Sequence, residues 1–197
     1  MSRATAIETR RAEDYKVLAE CYYPPDERLM AMLAGLAESA TGPIAEIVRC
    51  AGDVPDIQPL QVDHAKLFVG PYQLLAPPYG STYLEDGKLM GESTVDVRGL
   101  YAEEELDVIV KDAPDHVAVE LEFMYLLASR RIEALEASDD DLADRYGRKQ
   151  QSFLTVHLAR WVPEFTARVE KAAQSEFYRT LGSVTRRIVE EALSALG

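Results

Sequence analysis

The sequence predicts an all-α bundle carrying one long irregular loop. Two observations lead there. Apolar residues recur at helical spacing through most of the chain, with no alternating strand pattern against them. A single stretch, residues 67–83, is apolar and aromatic yet holds Pro71, Pro77 and Pro78, which remove backbone donors and fix φ. That stretch fits neither a regular helix nor a central strand.

The elements follow in chain order. A first helix is expected over residues 4–22, ended by Tyr23-Pro24-Pro25. Asp26 can cap a second, with Leu29, Met32, Leu33 and Leu36 on one face. Thr41-Gly42-Pro43 stops it and Pro43 starts a short third. Residues 52–59 read as a linker, and a helix over residues 60–68 enters the loop. Glu85-Asp86-Gly87-Lys88 is a turn signal. Ser93 or Thr94 can cap a short helix through Val97 and Tyr101. Asp112-Ala113-Pro114 reads as a helix start, with Val117, Leu121, Met124 and Leu127 or Ala128 on its buried face and Glu120 on a solvated one. Asp139, Asp140 and Asp141 suit a helix N-terminus, where the dipole favours negative charge. Beyond it Leu154, Leu158, Trp161 and Phe165 form an inner stripe, and Pro163 is expected to kink or break the helix between the last two. Phe177, Leu181, Val184 and Ile188 repeat the spacing in a final helix. The 197 residues, taken as a single domain over 1–197, suffice for a sizeable core.

Charge and chemistry narrow the function. The formal charge is −13, which argues against nucleic acid as a partner and suits a basic peptide or protein. Hydrophobic residues at 47% and charged ones at 28% fit a soluble globular chain, and no apolar run reaches membrane-spanning length. Cys21 and Cys50 have no metal-ligand spacing, so a reducing cytoplasm is the simplest setting. Arg10-Arg11 is followed by Ala12-Glu13-Asp14-Tyr15-Lys16 rather than an apolar region, so the pair is not expected to act as an export signal. No phosphate loop, dinucleotide fingerprint, nucleophile elbow or zinc-protease motif occurs. Asp63-His64 and Asp115-His116 leave open a small hydrolase using acid–base chemistry, although adjacent helical residues point in different directions. A loop bearing Tyr72, Leu74, Leu75, Tyr79 and Tyr83 must pack on its own domain or present a surface to an apolar, extended ligand.

Leu67-Phe68-Val69-Gly70-Pro71-Tyr72, followed by Pro77-Pro78-Tyr79-Gly80-Ser81-Thr82-Tyr83-Leu84, resembles the TorD/DmsD family of redox-enzyme maturation chaperones. Gly91-Glu92-Ser93-Thr94, Pro114-Asp115-His116 with Glu120-Leu121-Glu122-Phe123-Met124, and the later Phe153-Leu154, His157-Leu158, Trp161, Pro163, Phe165 and Phe177-Tyr178 extend the match over roughly residues 15–185. The resemblance implies a TorD-like helical bundle acting as a cytoplasmic chaperone without catalysis or cofactor. Its partners would be the twin-arginine signal peptide and apoprotein of a molybdenum-containing oxidoreductase of the dimethyl-sulfoxide-reductase class, held back from export until cofactor insertion. By position, Leu67, Phe68, Tyr72, Pro77, Pro78, Tyr79 and Ser81 would belong to the peptide-binding region, with Pro114, Asp115 and His116 as its second side. His64 stands where related chains often carry tryptophan. The resemblance also admits a monomer or a domain-swapped dimer, exchanged through residues 52–59. A permanent assembly subunit of one reductase is the other alternative.

Overall fold

The computed structural model describes residues 2–71, 73–87, 89–106 and 113–195. They fold into α1 (Arg3–Tyr22), α2 (Glu27–Gly35), α3 (Gly42–Gly52), α4 (Ile57–His64), α5 (Gly80–Leu84), α6 (Glu92–Glu103), α7 (Val117–Glu136), α8 (Asp140–Phe153), α9 (Ala159–Ala172) and α10 (Glu176–Ser194). The all-α expectation is met, and among the described residues the β-contact is a single antiparallel bridge, Tyr79 to His116.

Local chemistry explains most boundaries. Asp26 Oδ1 accepts from the Leu29 amide at 2.9 Å and opens α2. Asp139 Oδ1 does the same for α8 through Leu142 at 3.0 Å. Pro43 sits in the first turn of α3, where its missing N–H has no helical partner to lose. α1 lies along α7, α7 along α8, and α10 against α9 and α3. Between these layers Tyr22, Phe68, Phe165 and Tyr178 form a ring cluster with centroids 5.5–6.1 Å apart, each such pair adding about 0.5–1.5 kcal/mol beyond its area. Leu154, Leu158, Trp161 and Phe165 are all buried, as the spacing predicts.

Four expectations are corrected. The helix before the loop begins earlier, at Ile57, because Asp56 caps it through Gln58 at 3.0 Å, and it ends in one π-turn, Ala65–Val69. Neither Ser93 nor Thr94 caps α6. Glu85 reaches across from the end of α5, and its carboxylate accepts from the amides of Glu92 and Ser93 at 2.9 and 2.7 Å. A Cβ at Gly91 would lie 1.6 Å from that carboxylate, so a larger residue there would push the Glu85 cap aside. α7 does not start at Pro114. Residues 114–116 pair with the loop instead, and His116 becomes the cap, its Nδ1 accepting from Ala118 at 3.2 Å. Asp112 lies outside the described residues. Finally, no break falls between Trp161 and Phe165. The irregularity is a π-turn, Leu154–Leu158, just upstream. Proline removes the amide that would bond the carbonyl of Ala159 and crowds that carbonyl, and the wider turn before it takes up the displacement.

Candidate functional site

The Pro-rich loop is fixed to the core by its backbone. The Ala76 amide donates to the Leu67 carbonyl at 3.0 Å, closing the loop on itself. Val117 donates to the carbonyl of Pro78 at 2.8 Å, and Gly80 to that of Asp115 at 2.9 Å, which forms the bridge at Tyr79 and His116. Tyr83 donates its hydroxyl to the carbonyl of Pro77, and Tyr101 to that of Pro114, each at 2.9 Å. Residues 77–81 and 114–116 are therefore brought together, although more than thirty residues separate them in the chain.

The predicted residues divide into two groups. Pro77, Pro78, Tyr79, Ser81, Pro114, Asp115 and His116 meet at this junction. Asp115 is buried. Its Oδ2 accepts from the Ser81 amide at 2.9 Å, while Oδ1 has no hydrogen-bond partner among the described residues. Ser81 Oγ accepts in turn from the Met90 amide at 3.2 Å. The His116 ring stacks on Tyr23 and meets Tyr79 edge-on, at 6.1 and 5.4 Å. Pro77, Tyr79 and Pro114 stay partly exposed. His64, Leu67 and Phe68 form the second group, at the end of α4, and are buried. His64 Nε2 donates to the Tyr22 carbonyl at 3.2 Å, and its ring packs on Phe68 and Tyr178. Burial pulls the His64 imidazole below its ordinary value, against that hydrogen bond and Asp63. Leu67 and Phe68 are core side chains, so their share in any site is to set the shape beneath it. Tyr72 lies outside the described residues.

The Asp-His dipeptides do not form dyads. Asp63 accepts from the Gln174 and Ser175 amides and the Ser175 hydroxyl at 2.7–3.1 Å, tying α4 to the start of α10. A histidine distant in sequence meets a carboxylate instead: His157 Nε2 donates to Glu120 Oε1 at 2.6 Å. Glu120 Oε2 accepts from Trp161 Nε1 at 3.1 Å. Glu120 is thus fully buried rather than solvated, a correction with a plain cause. It stands one turn before Met124 and two before Leu127, on the inner stripe of α7, and the π-turn carries His157 to meet it. Burial pushes Glu120 up to about 7, while His157 and the indole work to lower it. Burial alone would lower His157, but the Glu120 carboxylate and its hydrogen bond, with Asp115 beyond, outweigh it and raise the imidazole. Gly80 seals the node: a Cβ there would lie 3.1 Å from Trp161 Nε1 and 3.3 Å from Glu120 Oε1. The helical wheel of α7 carried the signal for Glu120, but nothing local in the sequence named its partner.

Among the described residues no cluster of histidine, cysteine and carboxylate could hold a metal ion, and no helix is long and apolar enough to cross a membrane.

The nitrate reductase delta subunit family model matches residues 26–167, and the chain belongs to that family. Its relatives include chaperones, as the loop motif implied. The chaperone protein TorD of Vibrio parahaemolyticus is 27% identical, with 93% of each chain covered. The selenate reductase assembly chaperone protein of Thauera selenatis is 36% identical over 87 residues, 44% of this chain and 43% of that protein. A crystal structure of a candidate redox enzyme maturation protein from Archaeoglobus fulgidus superposes with a TM-score of 0.66 at 27% identity, covering 91% of this chain and 93% of that one.

Proposed function

We propose that this chain, acting as one domain, is a cytoplasmic chaperone for the apoprotein of a molybdenum-cofactor oxidoreductase of the dimethyl-sulfoxide-reductase class. It binds the twin-arginine signal peptide of that enzyme and delays export until the cofactor is in place. The observation that carries this reading is the near full-length likeness to a TorD chaperone. The site supports it. Pro77, Tyr79 and Pro114 meet the ligand, and Asp115, with one buried carboxylate oxygen to spare, supplies negative charge behind them. Pro78, Ser81 and His116 hold that junction, and His64, Leu67 and Phe68 shape it from below. Tyr72 is assigned to the same region by its place in the motif.

A hydrolase reading draws no support from the geometry, because Asp63 and Asp115 are engaged with backbone amides. The test is affinity capture from cells expressing the client in its apo form, with mass spectrometry of the eluate. The expected result is an oxidoreductase that retains its twin-arginine leader. Equal capture of the mature, leaderless enzyme would favour a permanent subunit, and no oxidoreductase at all would overturn the reading.

A further inference from the structure

Asp115 and Glu120 are two buried carboxylates with the first turn of α5 packed between them. On one side the Ser81 amide donates to Asp115 Oδ2 at 2.9 Å. On the other, a Cβ at Gly80 would lie 3.3 Å from Glu120 Oε1. Asp115 Oδ1 has no hydrogen-bond partner among the described residues, so its charge is poorly screened in a low-dielectric site. Its influence reaches the pair beneath. Burial raises Glu120, and Asp115 adds to that rise. Burial would lower His157, but Glu120 and Asp115 together raise it. Two carboxylates and one imidazole thus share a site that holds a proton into neutral pH.

That proton has an exit. His157 lines a groove of about 400 Å³ between α6 and the π-turn, and 10% of its side chain is exposed there. The neighbouring charges come from several elements. Arg160 of α9 faces the same groove and opposes protonation of His157. Glu92 and Asp96 of α6 line it too. Glu85, at the end of α5, is held by the α6 amides. Tyr101 of α6 is buried, donates to the Pro114 carbonyl and is kept neutral chiefly by burial, with Glu120, Asp115, Glu122 and Tyr23 adding to it. Tyr83 of α5, stacked on Trp161, is likewise neutral. At the junction His116 brings a second imidazole, whose Nδ1 accepts from the Ala118 amide.

We propose that the Asp115–Glu120–His157 cluster couples client binding to proton release: a cationic group of the client docked at the junction expels the proton shared by Glu120 and His157, and return of that proton loosens the client. The coupling rests on the client-binding reading above and concerns the regulation of that same site. Within the cluster carboxylates outnumber imidazoles, and the shared proton offsets part of the excess negative charge. A guanidinium against Asp115 offsets the same charge, so the two cations compete across residues 80 and 81. By linkage the effect is reciprocal: whatever binding does to the proton, the proton does to binding.

The test uses the intact chain and a synthetic peptide with an Arg-Arg pair followed by a Leu- and Ala-rich stretch, blocked at both ends and free of groups that titrate near neutrality. Calorimetric titration at pH 7 in phosphate and in Tris counts the protons exchanged, and Kd is measured at pH 6, 7 and 8. Net proton release is expected, with Kd weakening toward pH 6 by at most about tenfold per unit for one proton. Glu120→Gln should bind with buffer-independent heats and a flat Kd, its fold checked by circular dichroism melts. Trp161 is the chain's single tryptophan and donates to Glu120 Oε2, so its emission offers a second reading that needs no variant. The midpoint of its pH titration should move to lower pH when the peptide is saturating. Buffer-independent heats in the unaltered protein, net proton uptake, or an emission without a midpoint that the peptide shifts would each overturn the coupling and leave the chaperone reading standing. Release that persists in Glu120→Gln would assign the proton to His116 and overturn it too. A peptide that does not bind at any of these pH values overturns the coupling, and the chaperone reading then stands or falls with the capture experiment.

Discussion

The end of α4 and the entry to α7 carry the same dipeptide, Asp-His, and fold it to different ends. At the end of α4 every oxygen of Asp63 has a donor, all from residues 174 and 175, and His64 donates to a carbonyl of α1. The dipeptide is a staple between distant helices. At the entry to α7, among the described residues, Asp115 has a donor for one oxygen and none for the other, and His116 faces aromatic rings at a partly open junction. Beneath that junction lies a real acid–histidine pair, Glu120 and His157, assembled from α7 and the π-turn. Identical neighbours in sequence thus give one satisfied joint and one with unused capacity. What separates them is the number of donors the surrounding fold supplies.

The largest effect is expected at the pair under the second junction. Glu120→Ala leaves the Trp161 Nε1–H and His157 Nε2 buried without an acceptor or counter-charge. Breaking a buried pair from one side costs about 3–5 kcal/mol, and urea unfolding should register a loss of that size. A loss below about 1 kcal/mol would mean that water or local rearrangement satisfies the node.

The two aspartates themselves come next. Asp63→Ala strips four hydrogen bonds from backbone and hydroxyl donors at the start of α10. Hydrogen bonds to a charged group are worth about 1.5–3 kcal/mol net, and water can reach Gln174, so the expected cost is about 1–3 kcal/mol. Asp115→Ala removes one backbone acceptor, with an expected cost of about 1 kcal/mol. Affinity for the Arg-Arg peptide should move in the opposite order: weakened by Asp115→Ala, unchanged by Asp63→Ala. Melts and titrations on the same two variants check this, and equal behaviour of both would erase the distinction between the junctions.

This difference bears on what could be read from the residues. The helices, their caps at Asp26 and Asp139, and the inner stripe through Trp161 are local, set by periodicity and by side chains that bond their own next turn. The loop residues were legible as a motif. Their burial was not, because it depends on pairing 77–81 with 114–116, a contact with no local signature. The cap that Glu85 provides to α6 is missed for the same reason: the acceptor comes from before the turn, not from the usual position next to the helix. Glu120 reads as solvated when charge is weighed alone. Its place on the Met124 and Leu127 face argues otherwise, and only a partner such as His157 makes a buried acid tolerable. The π-turn at Leu154–Leu158 shifts register by one residue, which no apolar pattern announces.

The smallest effects are those of pH, and they separate the two regions by sign. His64 is held below its ordinary value of 6.5, so the unfolded chain takes up the proton first as pH falls. Its contribution to stability is therefore lost on acidification below about 6.5. Glu120 is the reverse case: folded, it keeps its proton up to about 7, against 4.5 when free. The native state binds more protons in that window, and this contribution is lost as pH rises through it. His157 is coupled to Glu120: the carboxylate raises the imidazole only where Glu120 is ionised, so the two hold their extra proton as one pair, and that contribution is lost as pH rises. Each group can impose a slope of at most about 1.4 kcal/mol per pH unit. Urea midpoints measured between pH 5 and pH 8 should show His64→Gln flattening the acid limb alone. Glu120→Gln keeps an amide oxygen for Trp161 but removes the charge that raises His157. Burial then dominates that imidazole, and its contribution changes sign, so the loss of stability toward high pH should disappear and the acid limb should steepen. A variant that leaves both limbs as they are would show that the pair does not titrate within this range, and that its role is geometric only.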